Sequence, residues 1–250
     1  IAHRHRSCKI IFLRRRLFLR NIFCPISVCM RMSKMSKSNF SKLTGLAGAV
    51  AAFVLLSLSG CVSMPESERE LEAGRLEAEK YAGMDSSQFK LRSPDNDMSE
   101  AKSLPDVYRE LDFNPNGRTL YAVALSDPVG THYARILKNE AVARVAALFP
   151  NKDPVDNEAD AFRHAYFSFR LADKIGSERA KRFTDSYEIS NINTMGARCM
   201  DLFNNREGRR MCEESKSDKA SDRRALAEKK VLEAIVKRRL VLEPYRLLAR

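Results

Sequence analysis

The sequence predicts an all-α fold, a compact bundle of about five helices behind a signal peptide and a polar tether. Three observations carry this. Apolar side chains recur at helical spacing through most of the second half of the chain, caps and stops punctuate those stretches, and alternating strand patterns are nearly absent. Residues 131–148 place Tyr133, Leu137, Ala141, Val142, Val145 and Leu148 on one stripe, stopped by Pro150. A second helix is expected from Asp156 as N-cap to Lys174, with Gly176 closing it. Ser177 caps a third, about 178–189, and a fourth covers roughly 196–206. The last, about 221–240, carries Leu232, Ile235 and Val236, with Lys237, Arg238 and Arg239 complementing its C-terminal dipole. Leu120–Ala124 reads equally as helix or strand.

Upstream of the bundle the chain divides by composition. Leu43 to Gly60 is uncharged and apolar, follows Lys37 and Lys42, and exits through Leu58-Ser59-Gly60 into Cys61. That order is a signal peptide, and the tetrad resembles the bacterial lipobox, in which the cysteine is acylated. Several acyl chains on one residue anchor firmly, because each buried CH₂ contributes about 0.8 kcal/mol. The expected organisation is an over-extended N-terminus at 1–34, a lipoprotein signal peptide at 35–60, lipidated Cys61 and a flexible tether at 61–117, and a helical domain at 118–250. Val62 stands where an aspartate would favour inner-membrane retention, so an outer-membrane location facing the periplasm is expected for a Gram-negative source.

The formal charge is +12, but residues 1–60 hold 11 of the Lys and Arg and no acid. Residues 61–250 carry 33 basic and 32 acidic side chains, a net charge of +1, which leaves no large footprint for nucleic acid. The expected partners are the membrane, through Cys61, and an envelope protein or cell-wall component. After Cys61 only Cys199 and Cys212 remain. An oxidising compartment favours pairing them. They would lie about 20 Å apart in one continuous helix, so a disulfide requires the chain to turn between them, at Gly208.

Chemistry concentrates in two places. The helix at 156–174 is apolar nearly all round, and within it Asp160 stands one turn before His164. An i,i+4 carboxylate fixes the imidazole tautomer and favours its charged form. That suits a general base or a metal ligand, and it equally suits a buried histidine satisfied by its neighbour. In residues 191–210, Asp201, Asn204 and Asn205 offer oxygens for a hard cation or substrate hydroxyls. The alternative is that the asparagines end the helix, with Gly208 supplying a left-handed turn.

Asp160-Ala161-Phe162-Arg163-His164-Ala165-Tyr166, Tyr187-Glu188, and Met200-Asp201-Leu202-Phe203-Asn204-Asn205 with Gly208-Arg209 together resemble an uncharacterised bacterial domain family. Its members share segments close to AFRHAYW, His-Glu and MDLxNNxxGR, and the likeness covers about residues 155–212. The resemblance implies Arg163, His164, Glu188, Asp201, Asn204 and Asn205 as functional positions, without implying a reaction. Phe167 replaces the usual Trp, and Tyr187 the usual His. One histidine with Glu188 and Asp201 is a poor zinc set, so the expectation is a Mg²⁺- or Ca²⁺-type cation or no cofactor.

Two functions compete. In one, the chain is a lipid-anchored hydrolase acting on an envelope component. His164 is then the general base, oriented by Asp160 or Glu188, Asp201 and Asn205 bind substrate or a cation, and Arg163 holds an anionic group. In the other, it is a non-catalytic envelope lipoprotein in which the same polar set fixes helix packing. A catalytic His164 must open to a cleft, whereas a structural one should be fully paired with no neighbouring pocket.

Overall fold

The computed structural model describes residues 68–94 and 101–248. The chain divides into units 1–50 and 51–250, and all described residues fall in the second. The expected signal peptide, lipobox and lipidation site at Cys61 lie outside the described residues. Those that are described form eight α-helices and a three-stranded sheet. The elements are α1 (Glu68–Lys80), β1 (Lys90–Arg92), β2 (Lys102–Ser103), α2 (Leu104–Glu110), α3 (Leu120–Ser126), α4 (Pro128–Leu148), α5 (Glu158–Ile175), α6 (Ser177–Ser190), α7 (Met195–Glu214), α8 (Arg223–Val236) and β3 (Arg246–Leu248). None of these helices is long and apolar enough to cross a membrane.

Helix α5 is the centre of the bundle, as its all-round apolar sequence requires. Asn157 caps it, its Oδ1 accepting from the N–H groups of Ala159 at 2.8 Å and Asp160 at 3.4 Å, and Gly176 ends it at φ 85°. Phe162, Tyr166, Phe169 and Leu171 are fully buried, and α4, α6, α7 and α8 pack around them. Phe162 and Tyr166 stack with ring centroids 5.3 Å apart. The ambiguous Leu120–Ala124 stretch is helical, and α4 begins at Pro128 because Asp127 caps it, accepting from the Gly130 N–H at 2.8 Å.

Two expectations are corrected here. Helix α7 does not stop near 206 but continues to Glu214, so Cys199 and Cys212 share one helix. Thirteen residues at 1.5 Å each hold them about 20 Å apart, and both are buried free thiols. Gly208 is no turn. A Cβ there would lie 2.1 Å from the carbonyl oxygen of Ala165, so glycine is what lets α7 lie against α5.

The second correction concerns the segment read as tether. Its described residues form α1, two strands and α2, with β1 between β2 and β3 in antiparallel register, Lys90 opposite Ser103 and Leu248. Phe89, Leu91, Leu104, Val107, Tyr108, Leu111 and Phe113 build a second apolar cluster that closes on Cys199 and Leu202 of α7. Strands of two or three residues carry too little alternation to be read in sequence.

Candidate functional site

The first turn of α5 sets the site. Asp156 adopts φ 53°, a left-handed conformation, and its N–H donates to Asp160 Oδ2 at 2.9 Å. The other oxygen, Oδ1, meets Arg163 Nη2 at 2.5 Å and His164 Nε2 at 3.3 Å. From α7, Asp201 Oδ1 approaches the same Nε2 at 3.4 Å. From the end of α6, Glu188 Oε1 stands 4.0 Å from His164 Nδ1. Asn205 links this last group back to α5, donating through Nδ2 to Glu188 Oε1 at 3.4 Å while its Oδ1 accepts from Ser168 Oγ at 2.7 Å. Three helices thus bring Asp160, His164, Glu188, Asp201 and Asn205 together.

Burial makes these groups act on one another strongly. For His164, desolvation opposes the charged form, but Asp201 and Asp160 outweigh it and hold the imidazole above its ordinary range. The two aspartates part company. Burial would raise Asp160, yet Arg163 and His164 hold it low, whereas Asp201 is pushed well above the carboxylate range by burial, with Asp160 and Glu188 adding to it. Burial likewise pushes Glu188 up to about 8, against the pull of Arg198. Asp201 Oδ1 is buried and has no hydrogen-bond partner.

A cavity of about 50 Å³ adjoins the cluster. His164, Glu188 and Asn205 are among its lining residues, with Leu120, Ala134, Phe167 and Phe183, and Arg135 and Lys138 also line it. His164 is only 4 % exposed, so it faces this small cavity rather than a wide cleft. A larger groove of about 730 Å³ over α8, lined by Arg144, Glu228 and Val236 among others, includes none of the expected site residues.

Two expected residues fall elsewhere. Asn204 clamps the chain beyond α8, donating to the Val241 carbonyl at 2.8 Å and accepting from its N–H at 3.0 Å. Arg163 is engaged by Asp160 and does not line the cavity, so it is not placed to hold an anionic group there. Conversely, Asn193, whose Nδ2 donates to Asp201 Oδ2 at 3.2 Å, had no signal in the sequence beyond being polar. Ser168 sits one turn after His164, but its bond to Asn205 is a long-range one that helix spacing could not reveal. Glu70 of α1 was likewise invisible: among the described residues, it joins Asp156 and Asp160 in one of two groups whose donor atoms lie within 4.8 Å of one another. The other group is Asp160, His164 and Asp201.

No curated protein and no solved structure matches the chain. Residues 121–239, which carry the whole α5–α7 cluster, match a family described as a domain of unknown function (DUF6973).

Proposed function

We propose that the chain is a lipid-anchored envelope lipoprotein whose helical domain is a hydrolase acting on an envelope component, with Glu188 as its general acid–base. The observation that carries this is that His164, Glu188 and Asn205 line one cavity beside the buried Asp160–His164–Asp201 cluster. A carboxyl group held near 8 by burial gives and takes a proton close to neutral pH, which is what general acid–base catalysis needs. Asn205 orients it, and the Nδ1 edge of His164 stands beside it. His164 itself has its Nε2 engaged by two aspartates, so it is a less available base than the sequence spacing suggests. The anchoring part of the reading rests on the n-region, apolar run and Leu58-Ser59-Gly60-Cys61 in the sequence, and Val62 favours the outer membrane.

The test is release of soluble product from isolated envelope by the purified lipidated chain. Glu188→Gln preserves shape and removes the titrating group, and its turnover is expected to fall by about 10²–10⁴-fold. Equal turnover by the variant sinks the catalytic assignment. The burial of His164 favours a second reading, a polar network that only fixes helix packing. On that reading neither protein releases product, and Glu188→Gln changes only the melting temperature.

A further inference from the structure

We infer that Asp160, His164 and Asp201 form a binding site for one divalent transition-metal cation at the Nε2 edge of the imidazole. This rests on reading the cluster as the reacting centre. It assigns the Nε2 edge of the imidazole to the cation and leaves the Nδ1 edge facing Glu188.

The geometry comes first. Nε2 lies 3.3 Å from Asp160 Oδ1 and 3.4 Å from Asp201 Oδ1. A tetrahedral site with bonds of about 2.1 Å has edges of about 3.4 Å, so the two edges to Nε2 already have ligand-to-ligand spacing, and the three donor atoms lie within 4.8 Å of one another. Hydrogen bonding alone serves them badly. Nε2 carries at most one hydrogen, yet two aspartate oxygens face it, and Asp201 Oδ1 is buried without a hydrogen-bond partner, on a residue only 5 % exposed. Asp160 Oδ1 already accepts from Arg163, whereas a cation would supply the partner that Asp201 Oδ1 lacks.

The surroundings are those of a built site. The second oxygen of Asp160 accepts from the Asp156 N–H, and that of Asp201 from Asn193 Nδ2. Behind the imidazole stands Glu188. Such outer partners hold ligands in place and sharpen affinity. One guanidinium, that of Arg163, faces the two aspartates. Its Nη2 is 2.5 Å from Asp160 Oδ1 and 3.2 Å from Nε2, so an entering cation would displace it from that corner. The sequence favours a Mg²⁺- or Ca²⁺-type cation, but the folded site gathers Asp160 rather than Glu188 with His164 and Asp201. Three donors including an imidazole, drawn from two helices, suit Mn²⁺ or Zn²⁺ better.

The experiment is calorimetric titration of the untagged, chelator-treated full chain with Zn²⁺, and with Mg²⁺ as control. One Zn²⁺ per chain with Kd below about 1 μM is expected. His164→Gln and Asp201→Asn, each checked for native helicity by circular dichroism, should bind at least about 100-fold more weakly. Should either variant fail to fold, Co²⁺ added to the unaltered chain serves instead, and the visible absorption of a four-coordinate site is the expected result. Absence of stoichiometric Zn²⁺ binding, or variants that bind as tightly as the parent, overturns the proposal. The two readings fail separately. A chain that turns over substrate and binds no Zn²⁺ keeps the hydrolase and loses the metal. One that binds Zn²⁺ at these residues and releases no product does the reverse.

Discussion

Asn204 and Asn205 are neighbours in sequence with opposite duties. Asn205 belongs to the His164–Glu188 cluster, and Asn204 holds the backbone of Val241 by two hydrogen bonds. Replacing Asn204 with alanine leaves a buried N–H and carbonyl unpaired, at a cost of about 2–4 kcal/mol. Thermal melting should show that loss, while turnover per folded molecule stays unchanged. The cysteines give a second residue-scale prediction. Because Cys199 and Cys212 are separate buried thiols, both should react with a thiol reagent only after unfolding, and a reductant should leave the melting temperature where it was. At this scale the sequence shows what is local. Asp160 and His164 are one helical turn apart and could be paired by counting. Asn193, Asp156 and Ser168 act through loop geometry or across helices, and no spacing rule reaches them.

Among the elements, α5 and α7 decide the site, and their packing depends on Gly208. The sequence marks this glycine as a stop signal, because glycine most often ends helices, but here its missing Cβ is a packing device. Gly208→Ala puts a methyl into the Ala165 carbonyl and should cost about 1–3 kcal/mol, read as a lower denaturation midpoint. Helix α4 has a different dependence. Asp127 caps it and pairs with Arg179, at 2.7 and 3.0 Å, and these hydrogen bonds hold the carboxyl below its ordinary range. A depressed folded-state value contributes stability above the unfolded value of 3.8 and loses it as the pH falls through the folded one. Arg179 is partly exposed, and solvent screening limits the effect to about 0.5–1 kcal/mol. Asp127→Asn should therefore be less stable than the parent at pH 7, and the gap should begin to narrow as the pH falls below about 4. A gap that does not narrow below about pH 4 contradicts this account.

In the molecule as a whole, helical content and the central helix were legible, since both follow from periodicity over many residues. The sheet was not. Its strands span two or three residues, and their partners come from residues 90–103 and 246–248, a pairing that only the folded chain reveals. That sheet matters to the helical domain, because Phe89, Leu91, Val107 and Leu111 cover Cys199 and Leu202 of α7. A chain trimmed to 118–250 leaves that face of α7 bare, and it should melt at a lower temperature than one starting at residue 68. The central claim is that one buried cluster, and Glu188 within it, carries the chemistry. The most direct test is to compare turnover of Glu188→Gln and Asn204→Ala on the same envelope preparation, normalised to folded protein. The account predicts a loss of about 100-fold or more for the first and none for the second. Equal turnover in the two, or a loss confined to Asn204→Ala, would contradict it.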